Sequence, residues 1–468
     1  MGSFFDPRIV LNKTIFLAGA LLAGHPAFAA APPPVPAVEA APPAPQRTRF
    51  DHGELLATAI GAAHDLGALL GPEDTLAKAL ANYRQFEHSP ATRRNLQSVF
   101  GEQRPFEFSG VAAGKGVTRY RFGFPGRGYL SPSGSNYSWS AFKLDLLRNK
   151  AETRQRGSAE WKLVSVLNEG SSLLGANMFY DSKQTRAPGG LWYGSERYRI
   201  GTLMFGGLDA PATPAATAAT ADSARSAEDG PVGVASEADK GHSGTIQGLE
   251  LRSDMRQRGA VTELRYQLAA QSIVVKPGPL PVQDVSLKLR ILNVNTAALS
   301  DFRRGLRAVV FDQLSADERA GLMQPLWERL LKTTLTRGVV LIVDELSARY
   351  NGNKAALKAR LSFDQLREDD VATPGVLLQK MVADIDLRLP VELAKDLAYV
   401  MARPHFSADV DEAKLRASSD AVAAKLIGKL VGGGLARVER NELRMAIQFK
   451  GGKLSSDGKP LSLSVFSG

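Results

Sequence analysis

The chain has 468 residues, a formal net charge of +10 and 44% hydrophobic content, enough for one or two packed regions with tails. It contains no cysteine, which excludes disulfides, thiolate metal sites, thiol nucleophiles and a lipid-modified N-terminal Cys. The cationic excess suits anionic lipid headgroups or cell-wall polymers; with no zinc-finger spacing, basic heptads or aromatic RNA-binding signature beside it, no nucleic-acid partner is expected.

Arg8 and Lys13 precede an apolar run from Thr14 to Gly24, followed by Ala27-Phe28-Ala29, so residues 1–29 read as a secretory signal peptide. The run is too short to cross a hydrocarbon core of roughly 30 Å as a helix. Periplasmic localisation is expected, with anchoring to the inner membrane by an uncleaved signal as the alternative. Residues 30–48 are Pro- and Ala-rich and read as a semi-extended tether. Over residues 49–104, Leu56, Ile60, Ala63, Leu66 and Leu70, then Leu76, Leu80 and Tyr83, fall at helical spacing, predicting a helical lead-in.

Residues 105–208 change period. Aromatic and β-branched segments at Phe106–Phe108, Val117–Phe124, Trp139–Leu147, Trp161–Leu167 and Leu191–Phe205 are separated by Gly, Pro, Ser and Asn, and predict antiparallel strands. Gly110 to Gly116 lacks phosphate-loop spacing and reads as a turn. Residues 209–243 are an Ala/Thr/Ser-rich stretch with almost no large apolar residue and read as a disordered insert.

Residues 244–381 return to strands, and from Val285 the alternation of Leu287, Leu289 and Ile291 with charged residues predicts a strand with one buried face. Next, Leu299, Phe302 and Leu306 form an amphipathic stripe with Arg303, Arg304 and Arg307 on its flank. A second helix is expected to open at Pro325 and to carry Leu326, Trp327, Leu330 and Leu331. Asn351-Gly352 between two strand patterns predicts a tight hairpin. The pattern recurs in residues 382–468: Ile385 to Leu389, Val391 to Met401, a helix with Val422, Leu426 and Leu430, then strands from Leu443 to Val465. The expected class is therefore α+β, mainly antiparallel sheet with packed amphipathic helices and a duplicated β-α-α-β-β unit in the C-terminal half.

The segment Leu280–Leu299 combines an alternating strand, an Asn-rich strand end at Asn293–Asn295 and a helix opening at Ala297-Ala298-Leu299. With the closing Asp457-Gly458-Lys459-Pro460-Leu461 segment it resembles the YdgA-like family of exported bacterial proteins, over roughly Thr245 to Gly468. The N-terminal lead-in and the insert depart from that pattern. The resemblance implies an envelope protein and supplies no catalytic residues.

No catalytic residue, cofactor or metal site is assigned. The histidines are not paired at ligand spacing, there is no G-x-S-x-G elbow, and Asp344 and Glu345, adjacent in a strand, should point to opposite faces. The expected function is that of a non-catalytic exported cell-envelope protein binding lipid or another amphipathic ligand in an apolar groove. Leu299, Phe302, Leu306 and Trp327 are the candidate lining, and Arg303, Arg304 and Arg307 the candidate contacts to an anionic ligand or membrane surface. The alternatives are an envelope hydrolase with dispersed active-site residues and a scaffold for envelope protein partners.

Overall fold

The computed structural model describes residues 75–461, apart from 133, 169–170, 188–190, 208–242, 277–280, 312–315 and 404–409, together with Thr58, Gly61, Ala62 and Asp65. The expectations for the signal peptide, the tether, most of the first helix of the lead-in and nearly all of the insert lie outside the described residues.

Local chemistry sets the first two helices. Helix α1 (Leu76–Tyr83) starts at Thr75, whose side chain accepts from the Lys78 amide, and α2 (Pro90–Phe100) starts at Ser89 with Pro90 in its first turn and ends at Gly101 with φ +71°. Their apolar sides bury Leu76, Leu96 and Val99 against Phe106, Phe122 and Phe124.

Everything else hangs on one antiparallel sheet. Its N-terminal strands are β1 (Glu107–Ala112), β2 (Val117–Phe124), β3 (Arg127–Leu130), β4 (Asn136–Trp139) and β5 (Phe142–Asn149). Five long strands follow: β6 (Arg154–Asn168), β7 (Ser171–Arg186), β8 (Trp192–Gly207), β9 (Ser243–Arg258) and β10 (Val261–Lys276). Then come β11 (Val282–Asn295), helices α3 (Thr296–Phe311) and α4 (Ala316–Leu335), and the hairpin of β12 (Val340–Tyr350) and β13 (Asn353–Phe363). A short helix α5 (Pro374–Lys380) leads to β14 (Met381–Pro390), helices α6 (Val391–Ala402) and α7 (Glu412–Gly432), β15 (Arg437–Glu439), β16 (Glu442–Lys450), β17 (Lys453–Ser456) and β18 (Lys459–Pro460). Pairings run from β1 to β2, β5 and β6, on through consecutive strands to β14, then to β16 and β17, with β4 beside the far half of β6. The sheet is continuous across the insert and across residue 381.

The α+β class dominated by antiparallel sheet is what the alternation requires. The order strand, helix, helix, strand, strand occurs twice, as β11-α3-α4-β12-β13 and as β14-α6-α7-β16-β17, the second with β15 added. Asn351 and Gly352 turn the first hairpin with φ +48° and +77°, the pair of positive values that a two-residue turn matched to strand twist demands.

Two expectations are corrected. Pro325 lies inside α4, which begins at Ala316; the carbonyl that loses its amide partner to the proline ring is that of Gly321, an exposed residue, where the loss costs least. Asp344 and Glu345 do not face opposite ways. The register shifts between Val343 and Leu346 on both sides of β12, and this bulge lets Asp344 bind Arg290 while Glu345 binds Lys288, two residues apart on one face of β11.

Candidate functional site

Register decides what each face of the sheet carries. Directly paired residues share a face, and one row reads Phe108, Phe122, Leu144, Ala159, Tyr180, Tyr198, Leu251, Leu268, Leu287, Leu346, Leu357, Leu387, Met445 without a charged group. The row displaced by one residue lies on the other face: Arg121, Asp145, Ser158, Asp181, Arg197, Arg252, Gln267, Lys288, Glu345.

Cover along the apolar row is uneven. Phe122, Leu144, Tyr180 and Tyr198 are buried. Leu251, Leu268, Leu287, Leu357, Leu387 and Met445 are only half-buried, and Leu346 is 43% exposed. From Leu268 to Met445 the row crosses five inter-strand gaps, about 24 Å at roughly 4.8 Å per gap.

The two helical pairs stand at opposite ends of these strands. At one end Leu299 of α3 packs with Leu191, Met255 and Val294, next to Leu264 and Ile291. Gly305 makes this pair close, because a Cβ there would meet Leu326 of α4 at 2.5 Å. At the other end, the Asn351 amide of the hairpin turn donates to Asp396 of α6 at 3.1 Å, and Arg416 of α7 pairs with the same carboxylate. Tyr350 beside them has its phenol pushed up, by burial first and Asp396 second. The half-buried stretch of the apolar row between these strand ends is the floor of the candidate trough. The helices carry exposed apolar side chains of their own: Trp327 and Leu331 of α4, Leu397 and Met401 of α6, and Val422 and Leu426 of α7.

The residues singled out in the sequence separate here. Leu299 and Phe302 are buried, Phe302 beneath the Trp327 ring at a centroid distance of 4.4 Å, so of the described candidates Trp327, 48% exposed, is the one that presents surface. Arg303 turns inward, with Nη2 3.4 Å from Met255 Sδ; burial pulls its guanidinium down to about 10, opposed by Tyr266, Glu196 and Tyr193. Arg304 is exposed and pairs with Asp301 at 3.0 Å. The side chains of Leu306 and Arg307 lie outside the described residues. The cations therefore do not form one outward patch.

Sequence reasoning missed a buried polar chain on the same face. The Glu152 carboxylate accepts from the Leu76 amide at 3.2 Å and from Arg148 at 2.8 Å. Arg148 Nε donates to Gln155, Gln155 Nε2 to Gln184 at 2.6 Å, Gln184 Nε2 to Glu196 at 3.0 Å, and Ser253 Oγ to Glu196 at 3.2 Å. Burial pushes the Tyr180 and Tyr198 phenols well above their ordinary value, with Glu196 adding to it. Each link is held by its neighbours, and Gln155, Gln184 and Glu196 are buried. A hydrolase would need such groups where a substrate reaches them.

A family of bacterial proteins of unknown function, DUF945, matches residues 75–464, which takes in both the polar chain and the trough. The chain belongs to this family. No curated protein and no solved structure matches it. The DUF945 match begins at the cap of α1, so α1 and α2 lie within it. Among the described residues no helix of this DUF945 chain is long and apolar enough to cross a membrane, and no three His, Asp or Glu side chains are grouped to hold a metal ion.

On the polar face of the DUF945 sheet a shallow hollow of about 390 Å³ is lined by Asp344, Lys358, Arg360, Asp384, Asp386 and Gln448 among others. Asp344 of its lining pairs with Arg290, and the neighbouring Glu345 pairs with Lys288 and Lys354. The Lys288 ammonium, then the Ser347 hydroxyl, hold the Glu345 carboxyl down to about 2, and Arg290 holds Asp344 low. A carboxyl depressed in the folded state contributes stability above its unfolded value, about 4.3 for Glu, and that contribution disappears as pH falls through the folded value. Glu345→Gln should therefore lower the urea midpoint at neutral pH, and the gap to the parent should close as pH falls from about 4.3 towards about 2. A gap that persists at the acid end would assign the loss to packing.

Proposed function

We propose that this DUF945 protein is an exported, non-catalytic envelope protein of the YdgA-like kind that holds an amphipathic lipid in the trough of its C-terminal half. One observation carries the reading: the apolar row continues to Met445, but its cover thins from Leu251 onward. The half-buried run from Leu268 to Met445, about 24 Å, exceeds one leaflet of a hydrocarbon core roughly 30 Å thick, so an acyl chain fits along it. Each methylene laid on such a floor leaves water with a gain of about 0.8 kcal/mol. Export rests on residues 1–29, whose charge and apolar pattern is that of a cleaved signal. On the same reading the two strand-helix-helix-strand-strand units are copies of one unit, each supplying one helical wall.

The protein purified from native envelopes without detergent should carry phospholipid, detected by mass spectrometry of its organic extract. Extracts consistently free of lipid would refute the trough as a lipid site.

A further inference from the structure

Helix α7 offers a surface of a different kind from the trough floor. Val422, Lys425, Leu426 and Lys429 occupy positions i, i+3, i+4 and i+7, which share one side of a helix. All four are exposed, Val422 at 61% and Leu426 at 56%. The N-terminal half of the helix is anchored, since Leu415, Ser419 and Ala423 are buried and Arg416 pairs with Asp396. The exposed stripe is thus held rigidly outward. Neither Lys425 nor Lys429 makes an ion pair among the described residues, whereas Arg303 and Arg304 are both engaged elsewhere.

From this we infer that the Val422–Lys429 side of α7 docks on an anionic bilayer surface, with the Val422 and Leu426 side chains entering the headgroup boundary and the two ammonium groups meeting lipid phosphates. Charge selects this occupant over a second copy of the chain: two adjacent unpaired lysines beside apolar side chains, on a molecule of net charge +10, would repel their own image across a two-fold axis. The inference rests on the lipid reading of the trough in supplying a place where lipid would enter, yet it is tested separately.

Vesicles of phosphatidylcholine alone and of phosphatidylcholine with phosphatidylglycerol are sedimented with the full chain. Binding is expected for the anionic vesicles and not for the neutral ones. The double variant Lys425→Glu/Lys429→Glu should weaken it by roughly 30-fold or more, from about 1 kcal/mol per surface cation, and Val422→Ser/Leu426→Ser should also release the protein. A control reversal on the outer sheet face, Lys143→Glu/Lys162→Glu, should leave binding within a fewfold. Lipid in the organic extracts of the α7 variants, measured in parallel, reports on the trough: retained lipid with lost vesicle binding separates the two sites. No difference between vesicle types, equal loss in the control, or a dimer in sedimentation velocity that Val422→Ser/Leu426→Ser dissociates would overturn the inference.

Discussion

Arg148→Met should lower the unfolding free energy by roughly 3–5 kcal/mol, the cost of leaving a buried charge without its partner. Arg148 is 6% exposed and is held between Glu152 and Gln155 with its guanidinium 5.2 Å from the centre of the buried Trp192 ring. Its loss would strand the Glu152 carboxylate, which also accepts the amide of Leu76 and so fixes the start of α1 to the sheet. Urea unfolding followed by circular dichroism measures the change. The comparison is Arg121→Met on the polar face, where the Arg121–Asp145 pair is half-exposed and worth about 0–1 kcal/mol. Arg148→Met/Glu152→Gln should recover part of the loss, because it removes the orphaned charge along with its partner. Equal effects at Arg148 and Arg121 would mean that the interior chain is not a charged network at all.

The same chain explains which parts of the fold the sequence hid. The alternation of Leu287, Leu289 and Ile291, the Asn351-Gly352 turn and the helices after β11 and β14 were all legible, because each follows one local rule and the tertiary structure does not override it. Strand β7 (Ser171–Arg186) and the first half of β6 were not. Their inward positions hold Ser182, Gln184 and Gln155, so the period-two hydrophobic signal vanishes where the interior is polar. The bulge at Asp344 and Glu345 was hidden for another reason: it inserts one residue and leaves no mark in composition.

The candidate site was half legible. Apolar strands and helices announced apolar faces, but which positions stay only half-buried depends on a register that spans 13 strands and on helix pairs at opposite strand ends. Arg303 was a readable miss. It lies four residues after Leu299, hence on the packed side of α3, so its inward turn was implied by the spacing that made the helix amphipathic. The polar chain had no such cue, since Gln155, Gln184 and Glu196 are brought together only by the pairing of β6, β7 and β8.

The floor of the trough gives the second large effect. Leu357 sits between Leu346 and Leu387 near the middle of the half-buried row, while Lys358, one residue along, projects from the other face. Leu357→Arg places a cation where an acyl chain would lie, at about 2–4 kcal/mol by the cost of lipid-facing Arg on a strand, so lipid recovered in organic extracts should fall by roughly 30-fold or more. Stability should change less, because a half-exposed strand position costs about 1 kcal/mol at most in β-propensity. Lys358→Gln, with its side chain on the polar face, should carry as much lipid as the parent. Mass spectrometry of lipid per mole of folded protein decides the matter: retention in Leu357→Arg equal to that in Lys358→Gln would place the ligand elsewhere, whereas selective loss requires that the row from Leu268 to Met445 be the surface it occupies.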